Sequence, residues 1–195
     1  MPRIAPLSRE SLEEFEPFFE MVEKSMGFVP WSALTMGHSP ALLRAFSGLS
    51  GAVLGGGRIE PELKSLIAHV VSRAAGCVYC QAHTAHSAHH NGATEEKLQA
   101  AFEYETSSLF DDRERAALRL AHHAALVPNA AEDAHFDALR EHFDDEEIVE
   151  IVSVVSLFGF LNRWNDTLAT TLEPAARSFG ERVLAGTGWK VGKHA

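Results

Sequence analysis

The chain has 195 residues, 46% of them hydrophobic, and a formal net charge of −10. That length suits one domain or two closely packed halves, and the acidic balance argues against nucleic acid as a partner. No apolar run is long enough to span a bilayer and Met1–Pro6 lacks the apolar stretch of a secretory leader, so no membrane partner is expected and the expected compartment is the cytoplasm.

The chain reads as helices throughout. Ser8 or Ser11 can cap a first helix, Ser11 and Glu14 have the spacing of a capping box, and Leu12, Phe15, Phe18, Phe19 and Val22 recur at helical spacing. Gly27-Phe28-Val29-Pro30-Trp31 breaks this first helix. Ser39 caps the next, with Pro40 at its first position, and Gly55-Gly56-Gly57 ends it. Pro61 starts a helix through Ala75 whose apolar face is Leu63, Leu66, Ile67, Val70 and Val71. Glu62, Ser65, His69 and Ser72 form a polar stripe along another face, which reads equally well as a solvated surface. Gly76 separates this helix from a helix over 77–91, which Gly92 stops. Thr94, the pair Asp111 and Glu114, Glu132, and the pair Asp144 and Glu147 mark four further starts. Pro174 begins a last helix that Gly180 is placed to interrupt. Nothing reads as a clear strand, although Ile148–Val155 is rich enough in valine to resemble one.

The chemistry concentrates at Gly76-Cys77-Val78-Tyr79-Cys80-Gln81-Ala82-His83, which holds both cysteines of the chain. Two thiols three residues apart can close a disulfide across the first helical turn. The helix N-terminus favours a thiolate. His83, at i+3 from Cys80, lies on the neighbouring part of the helix face, where it can take a thiol proton. These residues predict a redox-active thiol pair with its own base and a depressed thiol pKa at Cys80, with no cofactor or metal required. The order of the two thiols stays open, since Cys77 is nearer the helix end and Cys80 nearer the histidine. In a reducing compartment a C-x-x-C is more often catalytic or metal-binding than structural. Cys77, Cys80, His83 and His86 include zinc-type ligands, but Cys77 and His86 are about 13 Å apart along one helix, too far to share an ion.

Leu66–Ser72 also resembles Glu150–Ser156, which suggests two related halves at roughly 39–105 and 111–185, the second without thiols. Together, Gly27-Phe28-Val29-Pro30, His38-Ser39-Pro40, the cysteine block through Thr84, Asn91–Glu96, Arg113–Leu118 and Phe158–Trp164 resemble the AhpD-like, carboxymuconolactone decarboxylase superfamily, and within it the peroxidase-related branch. The resemblance implies an all-α fold with two structurally related halves and assembly into homo-oligomers. It implies a thiol-dependent peroxidase whose partners are a peroxide, hydrogen or organic, and a dithiol reductant. Carried over, Cys80 is the peroxidatic residue, Cys77 the resolving one and His83 the base. Two positions depart from the pattern. The family histidine falls four residues after the second cysteine, where His83 falls three after it. The family's relay glutamate position is Ser65 here, with Glu62 one turn earlier as its first replacement and His69 as the second. The same residues would also serve a thiol–disulfide oxidoreductase or redox sensor acting on a protein.

Overall fold

The computed structural model describes residues 1–195 and consists of helices without a β-strand. In chain order these are α1 (Glu16–Met26), α2 (Trp31–Met36), α3 (Pro40–Leu54), α4 (Pro61–Ala74), α5 (Val78–His90), α6 (Glu95–Gln99), α7 (Asp112–Ala125), α8 (Asp133–Arg140), α9 (Asp145–Leu168) and α10 (Pro174–Val183). No helix is long and apolar enough to cross a membrane.

The centre is α4, which packs against α5, α7 and α9. Leu66, Ile67, Val70 and Val71 are completely buried along it, and such side chains contribute about 1.5–3 kcal/mol each on burial. The polar stripe of α4 is not a solvated face, because His69 and Ser72 are also completely buried. Ile151 and Val154 of α9 and Leu118 and Ala121 of α7 close the core around α4. The valine-rich stretch is the middle of the 24-residue α9. A smaller cluster, Leu12, Phe15, Phe19, Leu34, Met36 and Leu43, fastens the N-terminal segment to α3.

Three local expectations are corrected. Ser11 does not cap a helix; its hydroxyl bonds the Ser8 carbonyl at 2.7 Å within a 3-10 segment, Arg9–Phe15. That segment kinks at Leu12, and the α-helix proper starts at Glu16, with Pro17 in its first turn. A proline ring would clash with the carbonyl four residues earlier, so a continuous helix from Ser11 is excluded. The break at Gly27–Trp31 leads straight into the short α2, whose six residues carry too little periodicity to be read. Gly180 does not interrupt α10. A Cβ there would meet the Trp189 ring at 2.9 Å, so the glycine is where the C-terminal tail packs onto the helix.

The loop before α4 is held by an ion pair between buried Lys64 and half-buried Glu150. Lys64 Nζ lies 3.1 Å from Glu150 Oε2 and donates to the carbonyls of Val53 (2.9 Å) and Gly56. The Glu150 carboxylate also accepts the Arg58 and Ile59 N–H groups.

Candidate active site

Gly76, with φ of +74°, turns the chain between α4 and Cys77, a conformation that glycine adopts without steric cost. Cys77 is the N-cap of α5, and its Sγ accepts the Cys80 backbone N–H at 3.4 Å. The Cys77 sulfur therefore occupies the anion-favouring end of the helix. Cys80, one turn in, reaches a cavity of about 380 Å³, whose lining includes Cys80, His83 and Thr84 of α5 but not Cys77. Phe18, Met21 and Val22 of α1, Phe46 of α3, and Phe158 and Leu161 of α9 form apolar walls. Both cysteines are free and buried.

The thiol of Cys80 departs from its expected state. Burial pushes its pKa well above that of an ordinary thiol, Cys77 beside it acts in the same direction, and a hydrogen bond from Asn165 works the other way. The resting Cys80 is thus a thiol. Desolvation therefore outweighs the pull of the helix terminus at Cys80.

His83 lines the same cavity, and its ring is fixed on two sides. Tyr79 stacks on it at 4.2 Å between centroids, and Phe28 meets it edge-on at 5.2 Å. His83 Nε2 lies 2.5 Å from Glu173 Oε2. Tyr79 Oη donates to the other carboxylate oxygen at 3.0 Å, and the Trp31 backbone N–H donates there too. Burial opposes the charge of Glu173, but its pairing and hydrogen bond with His83 and the Trp31 N–H outweigh it and hold the pKa below the usual range. An ionised carboxylate only accepts, so Nε2 of His83 carries the hydrogen and Nδ1 is the nitrogen left to exchange a proton.

The structure therefore brings a carboxylate to His83, but it is Glu173 and not Glu62. Glu62 pairs with Lys97 at 3.0 Å, and its carboxylate lies beside Gly92, at the far end of α5. Ser65 lines the cavity and accepts a hydrogen bond from Asn91 Nδ2 at 2.8 Å. His69 is committed to Thr84, Nδ1 to Oγ1 at 3.1 Å, and burial lowers its pKa to about 4, so it is neutral at pH 7. No group of three or more histidine, cysteine, aspartate or glutamate side chains is placed to hold a metal ion.

Glu173 was not legible in the sequence because its partners are 142, 94 and 90 residues away. The nearest signal is the Glu173-Pro174 pair at a helix start. The C-terminal tail fixes the surrounding backbone. Leu172 N–H donates to the His194 carbonyl at 2.9 Å, His194 Nδ1 lies 2.7 Å from the Thr170 carbonyl, and Trp189 Nε1 donates to the Val78 carbonyl at 2.9 Å, inside the cysteine motif.

The profile of the carboxymuconolactone decarboxylase family matches residues 40–123, from the start of α3 to the last turns of α7, and so includes both cysteines and His83. Two uncharacterised bacterial proteins are similar in sequence. YdfG of Bacillus subtilis (strain 168) is 30% identical over 55% of this chain and 71% of its own length. YnjA of Escherichia coli (strain K12) is 27% identical over 56% of this chain, which spans only 60% of YnjA. Among solved structures, the debrominase Bmp8 superposes with a TM-score of 0.87 at 37% identity, covering 92% of this chain and 97% of that one. Bmp8 is also known with a cysteine replaced by alanine, in complex with 2,3,4-tribromopyrrole. An uncharacterised peroxidase-related protein from Ralstonia eutropha JMP134, described as an AhpD core, gives a TM-score of 0.77 at 25% identity over 90% of this chain and 94% of its own. With this fold, this cysteine helix and these relatives, the chain belongs to the AhpD-like, carboxymuconolactone decarboxylase family.

Proposed function

We propose that the protein is a dithiol-dependent reductase that takes an electrophilic heteroatom from a small apolar substrate, an organic hydroperoxide first of all. The observation that carries this reading is the unequal placement of the two thiols. Cys80 opens into the apolar cavity, and Cys77 sits behind it with no share of the lining. The attacking sulfur is then Cys80, as the resemblance also implies. With R–O–OH, the Cys80 sulfur bonds the terminal oxygen as the O–O bond breaks, giving R–OH and a Cys80 sulfenic acid. His83 Nδ1 takes the thiol proton and delivers it to the leaving oxygen, and Glu173 holds the ring in the tautomer and orientation that permit this. Cys77 then displaces hydroxide from Cys80, closing the disulfide and releasing water. An external dithiol restores both thiols by exchange.

The likeness to Bmp8 favours a second substrate class on the same residues, aryl halides. There the Cys80 sulfur would take the halogen while His83 protonates the ring carbon that loses it. Cys77 would then displace halide, so that Ar–X and two thiols give Ar–H, a disulfide and HX. Both readings balance as one two-electron oxidation of the pair.

The test is substrate consumption with an excess of a dithiol such as dithiothreitol, for cumene hydroperoxide, hydrogen peroxide and a brominated pyrrole. Turnover of cumene hydroperoxide or the bromopyrrole above hydrogen peroxide, lost at least 100-fold in Cys80→Ser, is expected from the loss of the nucleophile. Equal turnover by Cys80→Ser and wild type would overturn the reading.

A further inference from the structure

One polar side chain outside α5 reaches the Cys80 sulfur. Asn165 Nδ2 donates to Sγ at 3.5 Å, from α9 and from beyond the residues that the family profile matches. Asn165 is 2% exposed, lines the cavity and has no protein partner for Oδ1. An amide half-satisfied in an apolar site costs more than an aliphatic side chain of the same size. The backbone holds it in place, because its carbonyl accepts the N–H groups of Ala169 and Thr170 where α9 ends, with Ala169 in the left-handed region.

Three further donors of the site are committed elsewhere, which leaves the proton-accepting Nδ1 of His83 along with Asn165. Tyr79 Oη and His83 Nε2 both point to Glu173, and His69 bonds Thr84. Asp166, the next residue on α9, carries charge of the sulfur's own sign and raises the thiol pKa rather than lowering it. Cys77, the remaining titratable neighbour, acts in the same direction. An amide N–H can only donate, so it favours S⁻ over S–H and a sulfenate over a sulfenic acid.

We infer that Asn165 is a catalytic residue of this site, the donor that stabilises negative charge on the Cys80 sulfur as it attacks. The inference rests on Cys80 being the attacking thiol. It gives α9 a chemical role besides packing.

The experiment follows the pH dependence of Cys80 alkylation by iodoacetamide, resolved by peptide mass spectrometry, in wild type, Asn165→Leu, Asn165→Asp and Asn165→Ser. Circular dichroism and thermal midpoints identify variants that fold. A hydrogen bond to an ionised group corresponds to about 10- to 100-fold in thiolate population, so alkylation at neutral pH should slow by about that factor in Asn165→Leu and further in Asn165→Asp. Asn165→Ser, which keeps a donor, should recover part of the loss. Profiles identical to wild type in any folded Leu or Asp variant would overturn the inference. Because alkylation needs no substrate, that outcome leaves the reductase reading standing. The converse, a shifted profile with full turnover in Cys80→Ser, would overturn the reductase reading and leave the charge-stabilising role of Asn165.

Discussion

His69 carries a prediction that is independent of the thiols. It is completely buried, Nδ1 is bonded to Thr84 and Nε2 has no protein partner. Burial, helped by the charge of Arg73, lowers its pKa from 6.5 to about 4. Between those values the unfolded chain binds a proton at this site and the folded chain does not, so stability is complete above pH 6.5 and falls as pH drops towards 4. Urea unfolding from pH 7.5 to 3.5 should show this loss, on the order of a few kcal/mol, and His69→Gln should flatten the curve over that interval. An unchanged slope in the variant would show that His69 titrates as it does in the unfolded chain. The stripe containing His69 was visible in the sequence, but its burial was not. Helical spacing says which residues share a face, and only the packing of α9 and α5 on α4 decides whether that face meets water.

At the scale of the helix, the starts legible in the sequence have a local cause, a proline at the first position for α3, α4 and α10 and a local hydrogen bond for α6, α7 and α9. Asp111 and Glu114 form a reciprocal capping box, as do Asp144 and Glu147, and Thr94 accepts the Lys97 N–H. These contacts span three residues and need nothing from the rest of the fold. Asp111→Ala should therefore lower the unfolding free energy by about 1 kcal/mol without loss of turnover, measured by chemical denaturation and the dithiol-coupled assay. A change within about 0.2 kcal/mol would mean that α7 is held by packing alone. The starts that sequence reading misplaced are at the N-terminus, where Pro17 and the contacts of Phe15 and Phe19 with α3 decide the path. The proximity of Cys77, Cys80 and His83 was legible because the first two turns of one helix carry them. Glu62 stands one turn from the family's relay position in sequence, while Glu173 is the carboxylate beside His83 in space.

At the scale of the molecule, the cavity joins both ends of the chain to its middle helices α3, α4 and α5. Its thiols lie on α5. Helix α1 supplies part of its apolar wall, Trp31 at the start of α2 bonds the carboxylate, Asn165 comes from α9, and Glu173 is held by the tail that also bonds the cysteine motif at Val78. Residues outside 40–123 thus share the lining of the cavity with residues that the family profile contains. In the proposed reaction Cys80 attacks and Cys77 resolves, and this order sets which sulfur carries the sulfenic acid. The order is tested most directly by peptide mass spectrometry after one equivalent of cumene hydroperoxide is added to the reduced protein in the presence of dimedone. The wild type should yield a Cys77–Cys80 disulfide, and Cys77→Ala should yield a dimedone adduct on Cys80. An adduct on Cys77 in Cys80→Ala, with none on Cys80 in Cys77→Ala, would contradict it.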